Sequence, residues 1–243
     1  MFVGMGTIIN IAAIVGGAAI GILVGNRLPE RTRNLMTDVL GAITLIGAAS
    51  SIKALWNEDL SDALPEGWPI MVVLGSLLIG GLIGSALNIE AKLEGLGISL
   101  KKRFNVHGNS PFVEGFVTAS LIFAIGPLAI LGSISDGMST GIDQLLLKST
   151  LDFFASIAFA AALGWGVAVS ALPVGVYQFT WTGIGLALGS ILSGYQVSAM
   201  TATGGMLLLG IGFKLLDIKQ IAIGNLLPAL AVAPVLTLGV SYL

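Results

Sequence analysis

Runs of about twenty apolar residues recur along the chain, separated by short stretches that hold most of its charge. At about 1.5 Å per helical residue such a run matches the roughly 30 Å hydrocarbon core of a bilayer. The pattern predicts helices near 6–25, 35–55, 68–88, 112–134, 146–170, 179–194, 199–216 and 221–241. The expected fold is therefore all-α, a polytopic transmembrane bundle of about eight helices forming a single domain over residues 1–243. The sixth run is short and rich in glycine. Read as a re-entrant segment buried in protein, it lowers the number of spans to seven and flips the topology beyond it. Residues Met1 to Gly6 have no basic n-region, and no small-residue cleavage site follows before Asn26, so the first run reads as a retained helix.

Composition supports lipid as the solvent: 55% of the residues are hydrophobic and 10% charged, against roughly 25% charged in soluble domains. The absence of cysteine excludes disulfides, thiolate metal sites and cysteine nucleophiles. The eleven basic residues matter through their placement. Arg27, Arg31 and Arg33 follow the first run, Lys92, Lys101, Lys102 and Arg103 the third, and Lys214 and Lys219 the seventh, whereas loop 57–67 has Glu58, Asp59, Asp62 and Glu66 and no cation. Positive loops stay in the cytoplasm, which puts both termini outside along with the connections 56–67, 135–145 and 195–198. Trp56, Trp68, Trp165 and Trp181, with Tyr177, Tyr195 and Tyr242, all fall at predicted helix ends, where amphipathic rings favour the interface. Residues 90–104 place Leu93, Leu96, Leu100 and Phe104 on one helical face beside Lys101, Lys102 and Arg103, so they read either as a surface helix on the inner leaflet or as a polar loop.

Three segments share a spacing of small residues: Gly17-Gly21-Gly25, Ser76-Gly80-Gly84 and Gly185-Gly189-Ser193. The run after each carries two glycines six apart, Gly41 and Gly47, Gly126 and Gly132, Gly204 and Gly210. This suggests a helix pair copied three times, near 6–55, 68–134 and 179–216, with the last copy inverted by the single helix that intervenes. Small residues four apart also serve plain close packing in lipid.

Ionisable groups inside the spans each need a partner or a purpose, because at mid-membrane they cost at least roughly 2.5–3.5 kcal/mol. In KSTLDFFASIAF, Lys148 and Asp152 can pair, and Ser149, Asp152 and Ser156 share a helical face. A structural salt bridge, a solute or ion site, and a titrating carboxylate all fit. Asp152 falls roughly 9 Å below the outer boundary, counted from about position 146. In FAIGPLAILGSISDG, Pro127 removes a backbone donor between Gly126 and Gly132 and so frees carbonyls near mid-membrane. Ser133, Ser135 and Asp136 follow, as the lining of an outer mouth or as a solvated helix end. The last run repeats the device with Asn225 before Pro228, and Pro234 beyond; Asn225 reads as a ligand or as an interhelical hydrogen bond. Asn10, Asp38 and Asp217 are secondary candidates.

The motifs GTIIN, GPLAILGSISDG, LLKSTLDFFASIAF and GIGFKLLDIKQIAIGNLLPALAVAP together resemble the YdfK/YqgA-like family of bacterial membrane proteins, a family of unknown function described as possible transport proteins. The resemblance covers nearly the whole chain and implies a bacterial inner-membrane protein, with no substrate to carry over. The family's polar motif positions fall here on Asn10, Pro127, Ser133, Asp136, Gly137, Lys148, Ser149, Asp152, Asn225 and Pro228.

A secondary transporter or permease for a small solute or ion is the function expected. A channel and a structural or regulatory membrane subunit are the alternatives. An enzyme is not expected: there is no HExxH motif, and the one histidine, His107, falls in a predicted cytoplasmic loop. Without a P-loop, primary pumping by this chain alone is not expected either. The expected partners are the bilayer and the solute, with a homo-oligomer open. Nucleic acid and cofactors are not expected, and metal binding is left open.

Overall fold

The computed structural model describes residues 2–25, 27–103, 111–125, 127–188 and 192–242. His107, Phe104, Gly126 and Gly189 lie outside them. The helices are α1 (Met5–Gly25), α2 (Glu30–Ile52), α3 (Glu58–Ala63), α4 (Trp68–Leu87), α5 (Ile89–Arg103), α6 (Phe112–Ala124), α7 (Pro127–Gly137), α8 (Asp143–Leu163), α9 (Gly166–Val169), α10 (Ala171–Leu188), α11 (Gly194–Leu215) and α12 (Ala229–Val240). Turns of 3-10 helix cover Lys53–Trp56 and Ile223–Leu226, and no strand occurs among the described residues. Among the described residues six helices are long and apolar enough to cross a membrane, or seven if the bent pair α6 and α7 is one span. α10, 18 residues and so about 27 Å long, is not among these, so the count among the described residues falls one or two short of the expected eight.

Two boundaries differ from the hydrophobic pattern, for local reasons. The fifth run stops at Leu163 rather than 170, because Gly164 takes φ 77° and ψ −154°, a conformation only glycine holds without strain. The sixth helix begins at Ala171, not 179. Pro173 sits in its first turn, where a missing N–H removes no helical hydrogen bond. Tyr177 and Trp181 consequently lie inside α10 rather than at its end. Residues 89–103 are helical, as the surface-helix reading has it, and the loop 57–67 contains the short acidic α3.

Contacts sort the chain into two compact units, each drawn from two separate stretches of sequence: 1–40 with 94–191, and 41–93 with 192–243. In the first unit α1 runs parallel to α8. A side chain at Gly17, Gly21 or Gly25 would strike the carbonyls of Phe153, Ile157 and Ala161 in turn, and Gly6 lies against Leu145. The glycine stripe is thus a surface on which two backbones meet, the form of packing that van der Waals contact rewards in lipid. The pair α6 and α7 is bent by 63° but follows α8 antiparallel along its whole length, with Gly115 against Leu163 at one end and Gly132 against Leu145 at the other. That path makes it a broken span rather than a re-entrant loop. α10 runs antiparallel to α1, with Gly175 against Ile11 and Phe179 against Gly4.

In the second unit α4 packs antiparallel on the last helix through the second stripe: Gly80 meets Ala229 and Gly84 meets Asn225. The end of α2 packs antiparallel on α11, with Gly41 near Leu215 and Leu216 and Gly205 near Ile52. Leu60, Leu64, Val72 and Ala199 form one apolar cluster here, and Leu55, Val73 and Ala202 another.

Candidate functional site

The polar face of α8 is buried in the first unit. Lys148, Ser149, Asp152 and Ser156 are all inaccessible or nearly so, and Asp152 lies about 14 Å along the helix from Asp143. Lys148 Nζ donates to Asp152 Oδ2 one turn away. The same ammonium stands 5.8 Å from the centre of the Phe123 ring, and Phe123 packs edge-on against Phe159. The pair is therefore held between a partner charge and an aromatic face, the two ways a cation is made tolerable away from water. Ser149 donates to the Leu145 carbonyl at 2.6 Å and is satisfied within its own helix.

The first unit also buries polar atoms that make no hydrogen bond within the protein. Thr7 Oγ1, both amide atoms of Asn10, Ser156 Oγ and both amide atoms of Gln178 are buried without a hydrogen bond, and all four residues are fully buried at 0% exposure. The Asn10 amide is nonetheless a side-chain hydrogen-bonding neighbour of the Asp152 carboxylate, so its NH2 group has a partner within reach. Gly17 lies against Ser156, so Asn10 and Ser156 border one seam between α1 and α8. The Gly175–Ile11 and Phe179–Gly4 contacts set Gln178 at about the height of Thr7. An unsatisfied buried polar group costs about 1–3 kcal/mol, so Thr7, Ser156 and Gln178 each call for a partner, which a buried water supplies as well as a solute.

The helix break faces the same place. Phe123, near the end of α6, touches both Lys148 and Phe159, and Gly132 on α7 is already opposite Leu145. The 63° bend between α6 and α7 falls between these contacts.

Other residues singled out in the sequence go elsewhere. Asp136, 3% exposed, accepts hydrogen bonds from the amides of Gly4 at 3.1 Å and Gly6 at 2.9 Å. It caps α1 from a distance of 130 residues in sequence. Ser133 donates to the Ala129 carbonyl. Pro127 opens α7, and Pro228 is the N-cap of α12. In the second unit Asn225 Oδ1 accepts the Glu90 amide at 2.9 Å. The buried Glu90 carboxylate in turn accepts from the Gly224 amide at 2.5 Å and from Lys214 Nζ at 3.1 Å. Asn225 thus caps α5 while Glu90 caps the turn ahead of α12. Asp38 is exposed, and exposed Asp217 accepts from Gln220 at 3.0 Å.

Thr7, Gln178, Phe123 and Glu90 were not among the residues the sequence brought forward. Gln178 had a signal, a lone amide in an apolar run, but the sixth helix was placed to begin just after it. The sequence also holds Gly137-x-Ser139-x-Gly141, the spacing of a nucleophile elbow. An elbow requires a strand-to-helix turn, whereas Ser139 stands exposed between two helices with φ 58°. Among the described residues no group of three or more His, Asp or Glu side chains is arranged to hold a metal.

The family described as "Protein of unknown function (DUF554)" matches residues 5–238. YqgA of Escherichia coli strain K12, an uncharacterized protein, is 30% identical over 237 residues, 94% of each chain. YdfK of Bacillus subtilis strain 168, named as an uncharacterized membrane protein, is 30% identical over 235 residues, covering 95% of this chain and 94% of its own. No solved structure matches. Matched over nearly its full length and built from membrane-length apolar helices, the chain is a membrane protein belonging to the DUF554 family.

Proposed function

We propose that the protein is a secondary transporter or permease that moves a small solute or ion across the bacterial cytoplasmic membrane, with its site at the Lys148–Asp152 pair of the first unit. The observation that carries this reading is the buried Lys148–Asp152 pair with Asn10 at its carboxylate, in a unit that also buries the unpartnered side chains Thr7, Ser156 and Gln178 and contains a bent helix pair. A purely structural pair needs no such surroundings. The repeated glycine-rich helix pairs read from the sequence, with the last copy inverted, agree with the plan of secondary transporters.

The test is reconstitution into vesicles and stopped-flow light scattering under gradients of urea, glycerol, glycine, NaCl and KCl. At least one gradient is expected to collapse faster than in protein-free vesicles, and Asp152→Asn to abolish that flux while folded protein remains in the membrane. Gradients unaffected by the protein, or a variant with lowered melting temperature and undiminished flux per folded molecule, would refute the proposal.

A further inference from the structure

α5 takes no part in the Lys148–Asp152 pair. It begins one residue past α4, a helix of membrane length, after Asn88 turns the chain with φ 50°. Six of its fifteen residues are charged, too many for a span but suited to a helix at the membrane face. Its rotation is fixed by contacts at residues 90, 93 and 97. The Glu90 carboxylate accepts from the Gly224 amide, Leu93 lies beside the same glycine, and Gly97 meets Phe116. These three positions follow one line along the helix, so that line faces protein.

A second line, Lys92, Leu96, Ser99 and Arg103, stands roughly a third of a turn around the helix and is exposed throughout. Leu96 keeps 45% of its surface open. Lys92 and Arg103 make no hydrogen bond or ion pair among the described residues. The opposite flank differs in charge: exposed Ile98 stands one turn from the exposed carboxylate of Glu94. A leaflet of negative headgroups repels that flank and attracts the first. The stems of Lys92 and Arg103 can lie along the acyl boundary with their charges at the level of the phosphates, while Leu96 reaches below them.

We propose that α5 binds the surface of an anionic phospholipid leaflet, at the membrane face where α4 ends, with Leu96 in the apolar boundary and Lys92 and Arg103 on the phosphates. Each cation near such a surface is worth about a fivefold preference, so the two together favour the bound helix about 25-fold.

The sequence contains no cysteine, so a spin label on Ser99→Cys or on Glu94→Cys reports a single position of the full-length protein in vesicles. The vesicles are phosphatidylcholine alone or phosphatidylcholine mixed with phosphatidylglycerol. In the mixture the Ser99 label is expected to be immersed, reached by oxygen and shielded from a water-soluble nickel complex, while the Glu94 label stays open to the complex. The ratio of immersed to water-exposed Ser99 label should fall about fivefold with Arg103→Gln and about 25-fold when Lys92→Gln is added. Both side chains are exposed and unpartnered among the described residues, so the melting temperature should not change. High salt should lower the same ratio with both cations in place, because it screens surface charge. A Ser99 label open to nickel in both kinds of vesicle would overturn the proposal, and so would immersion that ignores phosphatidylglycerol, salt and both substitutions. Immersion of the Glu94 label in place of the Ser99 label would overturn the face assigned to the lipid.

Discussion

Replacing Asp136 by alanine removes both acceptors that hold the start of α1. The Gly4 and Gly6 amides lie 3.1 and 2.9 Å from its two carboxylate oxygens, and a hydrogen bond to a charged group is worth about 1.5–3 kcal/mol, so losing both sets an upper limit near ~6 kcal/mol. Water lowers that figure. The carboxylate borders a cleft of about 250 Å³ with Phe2, Ser139, Gly141 and Ile142, through which water can reach the freed amides. What stays lost is the cap and its charge at the helix N-terminus, each about 1–2 kcal/mol. The net expectation for Asp136→Ala is about 2–3 kcal/mol, or a fall in melting temperature of about 4–12 °C at this chain length. Asp136→Asn keeps one acceptor and turns an NH2 group toward the other amide, so about half that loss is expected. Tryptophan fluorescence of the purified protein on heating gives the melting temperature, and hydrogen exchange reports the Gly4 and Gly6 amides directly. A melting temperature for Asp136→Ala within about 1 °C of the parent, with unchanged exchange at both amides, would refute the capping role.

Removing only one member of the Lys148–Asp152 pair should cost about 3–5 kcal/mol, because the other charge stays buried alone. Lys148→Met with Asp152→Leu should recover most of that stability in a melting assay yet show no solute flux, and a double variant that transports normally would show the pair to be structural only. Gly84→Ala drives a Cβ into the Asn225 carbonyl and is expected to destabilise by at least ~2 kcal/mol. Gly47→Ala meets nothing within 4 Å and should stabilise by about 0.5–1 kcal/mol; equal melting temperatures for these two alanine variants would contradict the packing described. Asn225→Ala strips the Glu90 amide of its acceptor and should lower stability by about 1–2 kcal/mol while leaving flux per folded molecule intact.

The number of apolar runs and the Lys148–Asp152 pairing were legible in the sequence because both follow from periods, twenty residues for a span and four for a helical neighbour. The break at Pro127 was legible because proline acts on its own backbone. The capping bonds were not. Asp136 finds its partners 130 and 132 residues away, and nothing local distinguishes such an aspartate from a solvated helix end. Asn225 read as a ligand or an interhelical bond, and its acceptor is used by Glu90, 135 residues distant. Gln178 falls just before the predicted start of the sixth helix at 179, whereas α10 begins at Ala171 with Pro173 in its first turn, where the missing N–H removes no helical hydrogen bond. The division into two units was equally hidden, because hydropathy marks spans and carries no information about which spans meet.

The parallel packing of α1 on α8 also has a consequence for how the protein is made. About 120 residues separate the end of α1 from the start of α8, and at roughly 5–20 residues per second a ribosome needs about 6–24 s to supply them. Throughout that interval the glycine stripe and Asn10 face lipid or an insertion factor, because the backbone they are shaped for has not been synthesised. Nascent chains stalled before residue 143 should therefore hold α1 as a loosely lodged helix, cross-linkable from position 10 to whatever shelters it, and lose that cross-link once α8 has entered the membrane.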